Sequence, residues 1–164
     1  MRATTLGSDA LIKLLIQGSA GEPFHQLQLE PVAAMLNVDL PRTQQRRVDL
    51  VYRTVSGRQA HIEVQSSNDP AMPLRMAEYG LAIMRMHGRY PQQVVLYVGN
   101  DAMRMPSGFR MEGLDCQYRL VDLRDFDGSA LLASDAISDN IMALLARLDD
   151  PLEGIRAVLG RSLY

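Results

Sequence analysis

The stretch that decides the fold is residues 48–65, which read VDLVYRTVSGRQAHIEVQ. Apolar and polar side chains alternate on both sides of residues 55–57, as in two strands whose successive side chains face opposite sides of a sheet. A three-residue loop that ends in glycine is typical of a hairpin with a type I turn and a final left-handed residue. If Thr54 and Arg58 close the loop, paired residue numbers sum to 112. The sequence therefore predicts an antiparallel hairpin of defined register.

This register places two acidic residues, Asp49 and Glu63, directly opposite each other on one face of the hairpin. Two ionised carboxylates about 4 Å apart repel by about 4 kcal/mol at an effective dielectric constant near 20. An arginine bridge, a shared proton or a divalent cation would remove that repulsion. Arg47 and Arg53 are close enough in sequence to form the bridge, so a salt-bridge cluster or a solvated face is the alternative to a metal site. The opposite face is expected to be the core side, and it carries Val48, Leu50, Tyr52, Ala60, Ile62 and Val64.

A divalent cation at this pair would define a reaction class. Mg²⁺ takes oxygen ligands, usually one or two carboxylates with waters and substrate phosphate. Asp49, Glu63 and the backbone carbonyl of Val64 would form such a partial shell, and Mn²⁺ would substitute for Mg²⁺. A cation of this kind activates water and polarises a scissile phosphate, while the amide of Gln65 can orient the water. The pattern indicates phosphodiester hydrolysis.

The rest of the chain predicts one domain, divided into a core over residues 1–124 and a helical extension over 125–164 that packs on it. Before the hairpin, the sequence predicts a helix from Ser8 or Asp9 to Gly18, a short helical turn from Pro31 through Met35 and an extended segment at 36–40. After the hairpin, it predicts a helix that is opened by Pro70, capped by Asn68 or Asp69 and ended at Gly88. Strands at 93–99 and 118–122 follow, with a loop or loose hairpin at 100–115 between them, and the chain continues with helices after 125, namely 138–148 and 151–159.

Composition excludes several classes of protein. Hydrophobic residues make up 47% and charged residues 22% of 164 residues, as in a globular protein, and the net charge is −2. No apolar run is long enough to cross a bilayer and no export signal is evident, so we expect a cytoplasmic protein without a membrane partner. The lone Cys116 excludes an internal disulfide and, with three histidines, makes a poor zinc site. The phosphate-binding Walker loop, the dinucleotide glycine fingerprint and the nucleophile elbow are all missing from the sequence.

Several segments resemble the recombination-promoting nuclease and transposase-like family of the PD-(D/E)XK nuclease superfamily. They are RVDLV at 47–51, HIEVQS at 61–66 and MPLRMAEY at 72–79, continued by QVVLYVG at 93–99 and YRLVDL at 118–123. The resemblance implies an α/β fold with a restriction-endonuclease-like core of a helix, a three-stranded meander, a helix and a strand. An extra strand and C-terminal helices are added to that core. It also implies metal-dependent cleavage of DNA.

The resemblance assigns roles to individual residues. Asp49 matches the metal-binding aspartate of the superfamily, and Glu63 matches its second acidic position. Gln65 stands where most members carry lysine, so the cation that usually steadies the attacking hydroxide is missing. Lys13 on the first helix could supply a cation from elsewhere, and Asp9 could supply the first-helix carboxylate that many members use. Asp9 is equally well explained as a helix cap.

Further residues have both a functional and a structural interpretation. Arg75 and Tyr79 are four residues apart on one helix face, so with Arg47 they could contact substrate phosphate. Alternatively, Arg75 forms a structural bridge to one of the two acids. We expect a structural or solvated role for His61, which lies beside Glu63 on the polar face.

Two functions follow from these patterns. The first is a Mg²⁺-dependent DNA endonuclease linked to mobile elements or recombination, which would act as a homodimer if it cuts both strands. The second is a catalytically weak or inactive module with the same fold that binds nucleic acid or protein. A phosphodiesterase acting on RNA is a further alternative to DNA cleavage.

Overall fold

The structure is a computed structural model that describes residues 8–36 and 49–146. It is of mixed α/β type. The elements in chain order are α1 (Ser8–Gln17), α2 (Glu22–Gln26), β1 (Val32–Leu36), β2 (Leu50–Thr54), β3 (Gln59–Gln65), α3 (Met72–His87), β4 (Gln92–Tyr97), β5 (Gly108–Met111), β6 (Leu114–Gln117), β7 (Arg119–Asp122), a 3-10 turn (Leu123–Asp125), α4 (Gly128–Ala133) and α5 (Ile137–Ala143).

The chain divides into two compact units, one drawn from Met1–Gln28 with Asp122–Tyr164 and the other formed by Leu29–Val121. In the first unit, α5 contacts α1 and α4. The side-chain amide of Asn140 donates to the carbonyl oxygens of Leu131 and Ser134, which caps the end of α4. The predicted boundary at residues 124/125 and the packing of the C-terminal extension stay predictions.

The second unit is built on a five-stranded sheet of order β1-β2-β3-β4-β7. Strands β1, β2 and β3 form an antiparallel meander, and β4 then pairs parallel with β3 after the crossover through α3. Thr54 N–H donates to the carbonyl of Arg58 at 2.8 Å, and Gly57 has a φ of 83°. The pairing Leu50↔Ile62 has the predicted sum of 112, so the predicted hairpin and its register are confirmed.

The segment before the hairpin differs from the prediction. Residues 32–36 form strand β1 rather than a helical turn opened by Pro31. Their backbone pairs with β2, for example Val32 with Thr54 and Leu36 with Val51. Pairing with a strand distant in sequence outweighs the local preference of Ala and Met for helix. Apart from Leu36, the predicted extended segment at 36–40 lies outside the described residues.

Helix α3 covers one face of the sheet, with β3 and β4 beneath it. It ends at Gly88 in the left-handed conformation, as predicted, and Ala71 rather than Asn68 or Asp69 is its N-cap residue. The core on this face consists of Val51, Met72, Met76, Tyr79, Ile83, Val95, Tyr97, Met105 and Tyr118. The apolar face of the hairpin is buried too, as predicted for Leu50, Tyr52, Ala60, Ile62 and Val64. Because β3 is buried on both faces, the alternative of a solvated face does not hold for this strand.

The remaining strands and helices agree with the sequence in kind. Strand β7 falls within the predicted run at 118–122, whereas β4 begins one residue before the predicted run at 93–99. Strands β5 and β6 form a hairpin that turns at Gly113 with a φ of 79° and ends at residue 117, two residues beyond the loop or loose hairpin predicted at 100–115. Helix α5 overlaps the helix predicted at 138–148 but ends at Ala143, and the helix predicted at 151–159 lies outside the described residues. Among residues 8–36 and 49–146, none of the helices combines the length and apolar character needed to cross a membrane.

Candidate functional site: a buried carboxylate cluster at the end of the hairpin

The Asp49 carboxylate lies at the open end of the hairpin, beside the end of β3. Its Oδ2 atom accepts a hydrogen bond from the backbone N–H of Val64 at 2.9 Å. Continued one step beyond the pair Leu50↔Ile62, the register would place Asp49 opposite Glu63. In a strand, the N–H and C=O of one residue point to the same neighbour, so the Val64 carbonyl points to the side of Asp49. Asp49 and Val64 are therefore in contact at the open end of the hairpin, next in sequence to Glu63, and the joint binding of a metal by these groups stays a prediction.

Glu63 is a buried acid held by an arginine from α3. Its relative exposure is 2%, and its Oε1 atom accepts a hydrogen bond from Nη2 of Arg75 at 2.5 Å. The same guanidinium donates from Nη1 to Oδ2 of Asp69 at 2.8 Å. Arg75 thus bridges two acids, which is the structural alternative weighed for it. The bridge to Glu63 is therefore made by Arg75, while Arg53 is exposed and four residues from Asp49, about 13 Å along a strand.

The charge of Arg75 is fixed by these contacts. Burial alone lowers the pKa of Arg75, but the hydrogen bond to Asp69 and the charge of Glu63 outweigh it and hold that pKa above its ordinary value. Arg75 therefore supplies a lasting positive charge that contacts both Glu63 and Asp69.

His61 and Tyr79 are core residues of this site. His61 has 0% exposure and Tyr79 has 1%, and their rings meet edge to face with centroids 5.7 Å apart. Nε2 of His61 lies 3.4 Å from Oε2 of Glu63. The structural role expected for His61 is present, and it is not solvated. The predicted contact of Tyr79 with substrate phosphate is wrong, because this side chain on α3 is buried in the core rather than exposed at the surface.

The other predicted residues are more dispersed. The Gln65 amide donates to the carbonyl and Oγ of Ser67, at 3.0 and 3.1 Å, so in this structure it braces the loop after β3. Asp9 and Lys13 lie on α1, in the other unit, and their roles stay predictions. Arg47 lies outside the described residues.

Sequence reasoning missed two members of the cluster. Asp69 was considered only as a cap; its Oδ1 atom accepts from Ala71 N–H at 2.8 Å while Oδ2 holds Arg75. Gln93 was assigned to a buried strand without a role, yet its amide donates to the Met76 carbonyl and to His61. A glutamine at the start of an otherwise apolar strand was the available signal for Gln93.

The carboxylates of the site match a magnesium-type cation in donor type. No group of three His, Cys, Asp or Glu side chains able to hold a metal occurs in the described part of the chain. Mg²⁺ does not require such a group, since one or two carboxylates with waters and substrate phosphate suffice. Asp49 and Glu63 supply hard oxygen donors of this kind. Arg75 would compete with a bound cation for Glu63, because it already donates a hydrogen bond to Oε1 of that residue.

A separate cleft of about 470 Å³ lies at the other end of β3 and β4, where both strands begin. It is lined by Arg58, Gln59, Arg89, Tyr90 and Gln92. These lining residues include no carboxylate, so the cleft offers no acidic cation ligand of its own. The candidate metal site is therefore the cluster around Glu63 and not this cleft.

Comparisons of the chain with protein-family models, with curated proteins and with solved structures found no match.

Proposed function

We propose that the chain is a Mg²⁺-dependent nuclease that hydrolyses phosphodiester bonds in DNA, with Mn²⁺ able to replace Mg²⁺. The observation that carries this proposal is the convergence of two acids at the end of the hairpin. The Asp49 carboxylate is bonded to the N–H of Val64, next in sequence to the buried Glu63. An acidic pair in a largely buried setting is costly unless cations balance it, and Mg²⁺ would act together with Arg75 in doing so.

Each residue has a definite task in this proposal. Asp49 and Glu63 would hold the cation, together with the carbonyl of Val64. When bound, a divalent cation of this kind polarises the scissile phosphate and lowers the pKa of a bound water. Gln65 is uncharged and donates to Ser67, so it would orient water without supplying a positive charge. We therefore expect slow turnover.

The finer fold class also belongs to the proposal. The meander β1-β2-β3, the crossover through α3 and the parallel strand β4 follow the order implied for a restriction-endonuclease-like core. The extra strand is then β7, and the C-terminal helices include α4 and α5. A cytoplasmic location, a homodimer for double-strand cleavage and a link to mobile elements or recombination are part of the same proposal.

The ion pairs of Arg75 support a second function, that of a non-catalytic binding module. A guanidinium that bridges Glu63 and Asp69 can stabilise the fold without any cation, and Gln65 lacks the positive charge of a lysine. In that case the protein would bind nucleic acid or another protein without cleaving it. DNA affinity would fall with rising salt as phosphate contacts are lost, and it would be the same in Asp49→Asn.

Plasmid nicking separates the two functions. We expect the wild type to convert supercoiled plasmid to open circles with Mg²⁺ or Mn²⁺ and not with EDTA. Asp49→Asn and Glu63→Gln keep the side-chain shape but lose the charge, so both should lose nicking. Glu78→Gln, a change of an exposed acid on α3, is the matched control and should retain it. Equal nicking by all four proteins would identify a contaminant, and no nicking by the wild type with DNA binding retained would favour the binding module.

A further inference from the structure

A chain of hydrogen bonds beside the site fixes the orientation of a buried glutamine. Gln93 is 5% exposed, and its Nε2 atom lies 2.8 Å from the carbonyl oxygen of Met76. A carbonyl oxygen only accepts hydrogen bonds, so this end of the amide must be the NH₂ group. The other end, Oε1, accepts from the hydroxyl of Tyr90 at 3.0 Å, which agrees with the same orientation.

The oriented amide in turn determines the tautomer of His61. The NH₂ group of Gln93 has two hydrogens, one for Met76 and one for Nδ1 of His61 at 3.1 Å. Nδ1 must therefore carry a lone pair. An imidazole with a lone pair on Nδ1 is neutral and carries its hydrogen on Nε2.

The Nε2 atom of His61 lies next to Glu63 without forming a hydrogen bond to it in this structure. Nε2 lies 3.4 Å from Oε2 of Glu63, slightly beyond the usual range of about 2.7–3.2 Å. Among the described residues, neither atom has another hydrogen-bond partner. The ring cannot readily swing away, because its side chain is fully buried and meets the ring of Tyr79 edge to face. A hydrogen bond from Nε2–H to Oε2 would require the two groups to move closer together and into line.

We propose that His61 is a positioning residue for the cation site, acting through Glu63 as a neutral Nε2–H donor whose tautomer is set by Gln93. This inference rests on the proposed metal-dependent function. Arg75 binds Oε1 of Glu63 at 2.5 Å and pulls the carboxylate from one side. A donor on Oε2 opposes that pull and fixes the rotation of the carboxylate. The cation then meets an oriented ligand rather than one drawn towards the arginine.

The test is Mn²⁺ affinity, measured by calorimetry at one fixed pH. His61→Leu keeps bulk but removes the donor, and the loss of an outer hydrogen bond to a ligating group lowers metal affinity by about 10–100-fold. His61→Gln places an amide N–H near the position of Nε2 and should restore most of the affinity. The control is His25→Leu at an exposed histidine, which should leave the affinity unchanged. Circular dichroism verifies that each variant is folded.

The outcomes separate this inference from the proposed function. If the wild type binds Mn²⁺ and His61→Leu binds it equally well, the positioning role is overturned while the cation site stands. A wild type that binds no Mn²⁺ overturns the cation site and the positioning role with it. Imidazole ¹⁵N spectra of the metal-free protein give a second readout, because a tautomer of His61 that depends on Gln93 is not expected of a merely space-filling residue. They should report the Nε2–H tautomer in the wild type and its loss in Gln93→Leu, and an Nδ1–H tautomer in the wild type would refute the hydrogen-bond chain.

Discussion

Replacement of Arg75 by methionine is expected to destabilise the fold strongly. Methionine has a similar length and fits the apolar surroundings of α3, so the change removes charge more than volume. Both ion pairs are lost, to Glu63 at 2.5 Å and to Asp69 at 2.8 Å. The Glu63 side chain is only 3% exposed, whereas Asp69 is 24% exposed and can be solvated. The loss therefore comes mainly from an unbalanced charge on Glu63.

Removing one partner of a buried ion pair costs about 3–5 kcal/mol, and we expect Arg75→Met to lower the free energy of unfolding by that amount. Urea unfolding followed by far-ultraviolet circular dichroism measures it. The double variant Arg75→Met/Glu63→Gln should recover much of the loss, because no buried charge is then unbalanced. Arg75→Lys keeps the charge, so its free energy of unfolding should lie between that of Arg75→Met and that of the wild type. A loss below about 1 kcal/mol in Arg75→Met, the level of an exposed pair, would refute the buried bridge.

Three further predictions concern the turn, an ion pair and the rate of cleavage. Gly57→Ala should lower the free energy of unfolding by about 1–2 kcal/mol, because the φ of 83° at this position is left-handed. Urea unfolding measures this loss, with Val55→Ala, at an exposed position in the same loop, as the control. Equal losses of unfolding free energy in the two variants would contradict the prediction. The hydrogen bond from Arg124 lowers the pKa of Asp122 below its ordinary value of 3.8. The pair therefore stabilises the folded protein above pH 3.8, and this contribution is lost as the pH falls through the lower pKa of the folded state. Asp122→Asn should be less stable than the wild type near neutral pH and converge with it in acid, as judged by urea unfolding across pH, and a constant difference would contradict this. Gln65→Lys should raise the rate of plasmid nicking, because it adds a cation where the resemblance places one, and an unchanged rate in a protein that binds Mn²⁺ would count against that role.

The hairpin could be predicted because its determinants are local. Alternation on both strands and a glycine at the end of the loop define the register without reference to the rest of the chain, and the pairing Leu50↔Ile62 follows. Helix α3 was equally accessible, since a proline marks its start and Gly88 its end. Strand β1 was not, because what makes residues 32–36 extended is pairing with β2.

The candidate site was predicted in part. The register brought Asp49 and Glu63 to one place, but alternation cannot distinguish a solvated polar face from a buried one whose polar groups contact each other. His61, Glu63 and Gln93 are buried polar residues in contact with one another, because α3 covers them and its Arg75 donates a hydrogen bond to Glu63. The ion pair between Asp69 and Arg75 depends on the conformation of the turn before α3, which no periodic pattern in the sequence predicts.

The most direct test of the cation site is a calorimetric titration of Mn²⁺ into the wild type, Asp49→Asn and the exposed-acid control Glu78→Gln. The two-carboxylate arrangement predicts one bound ion per chain in the wild type and the control, with binding abolished or greatly weakened in Asp49→Asn. An absence of binding in the wild type, or binding of the same strength in Asp49→Asn, would contradict it.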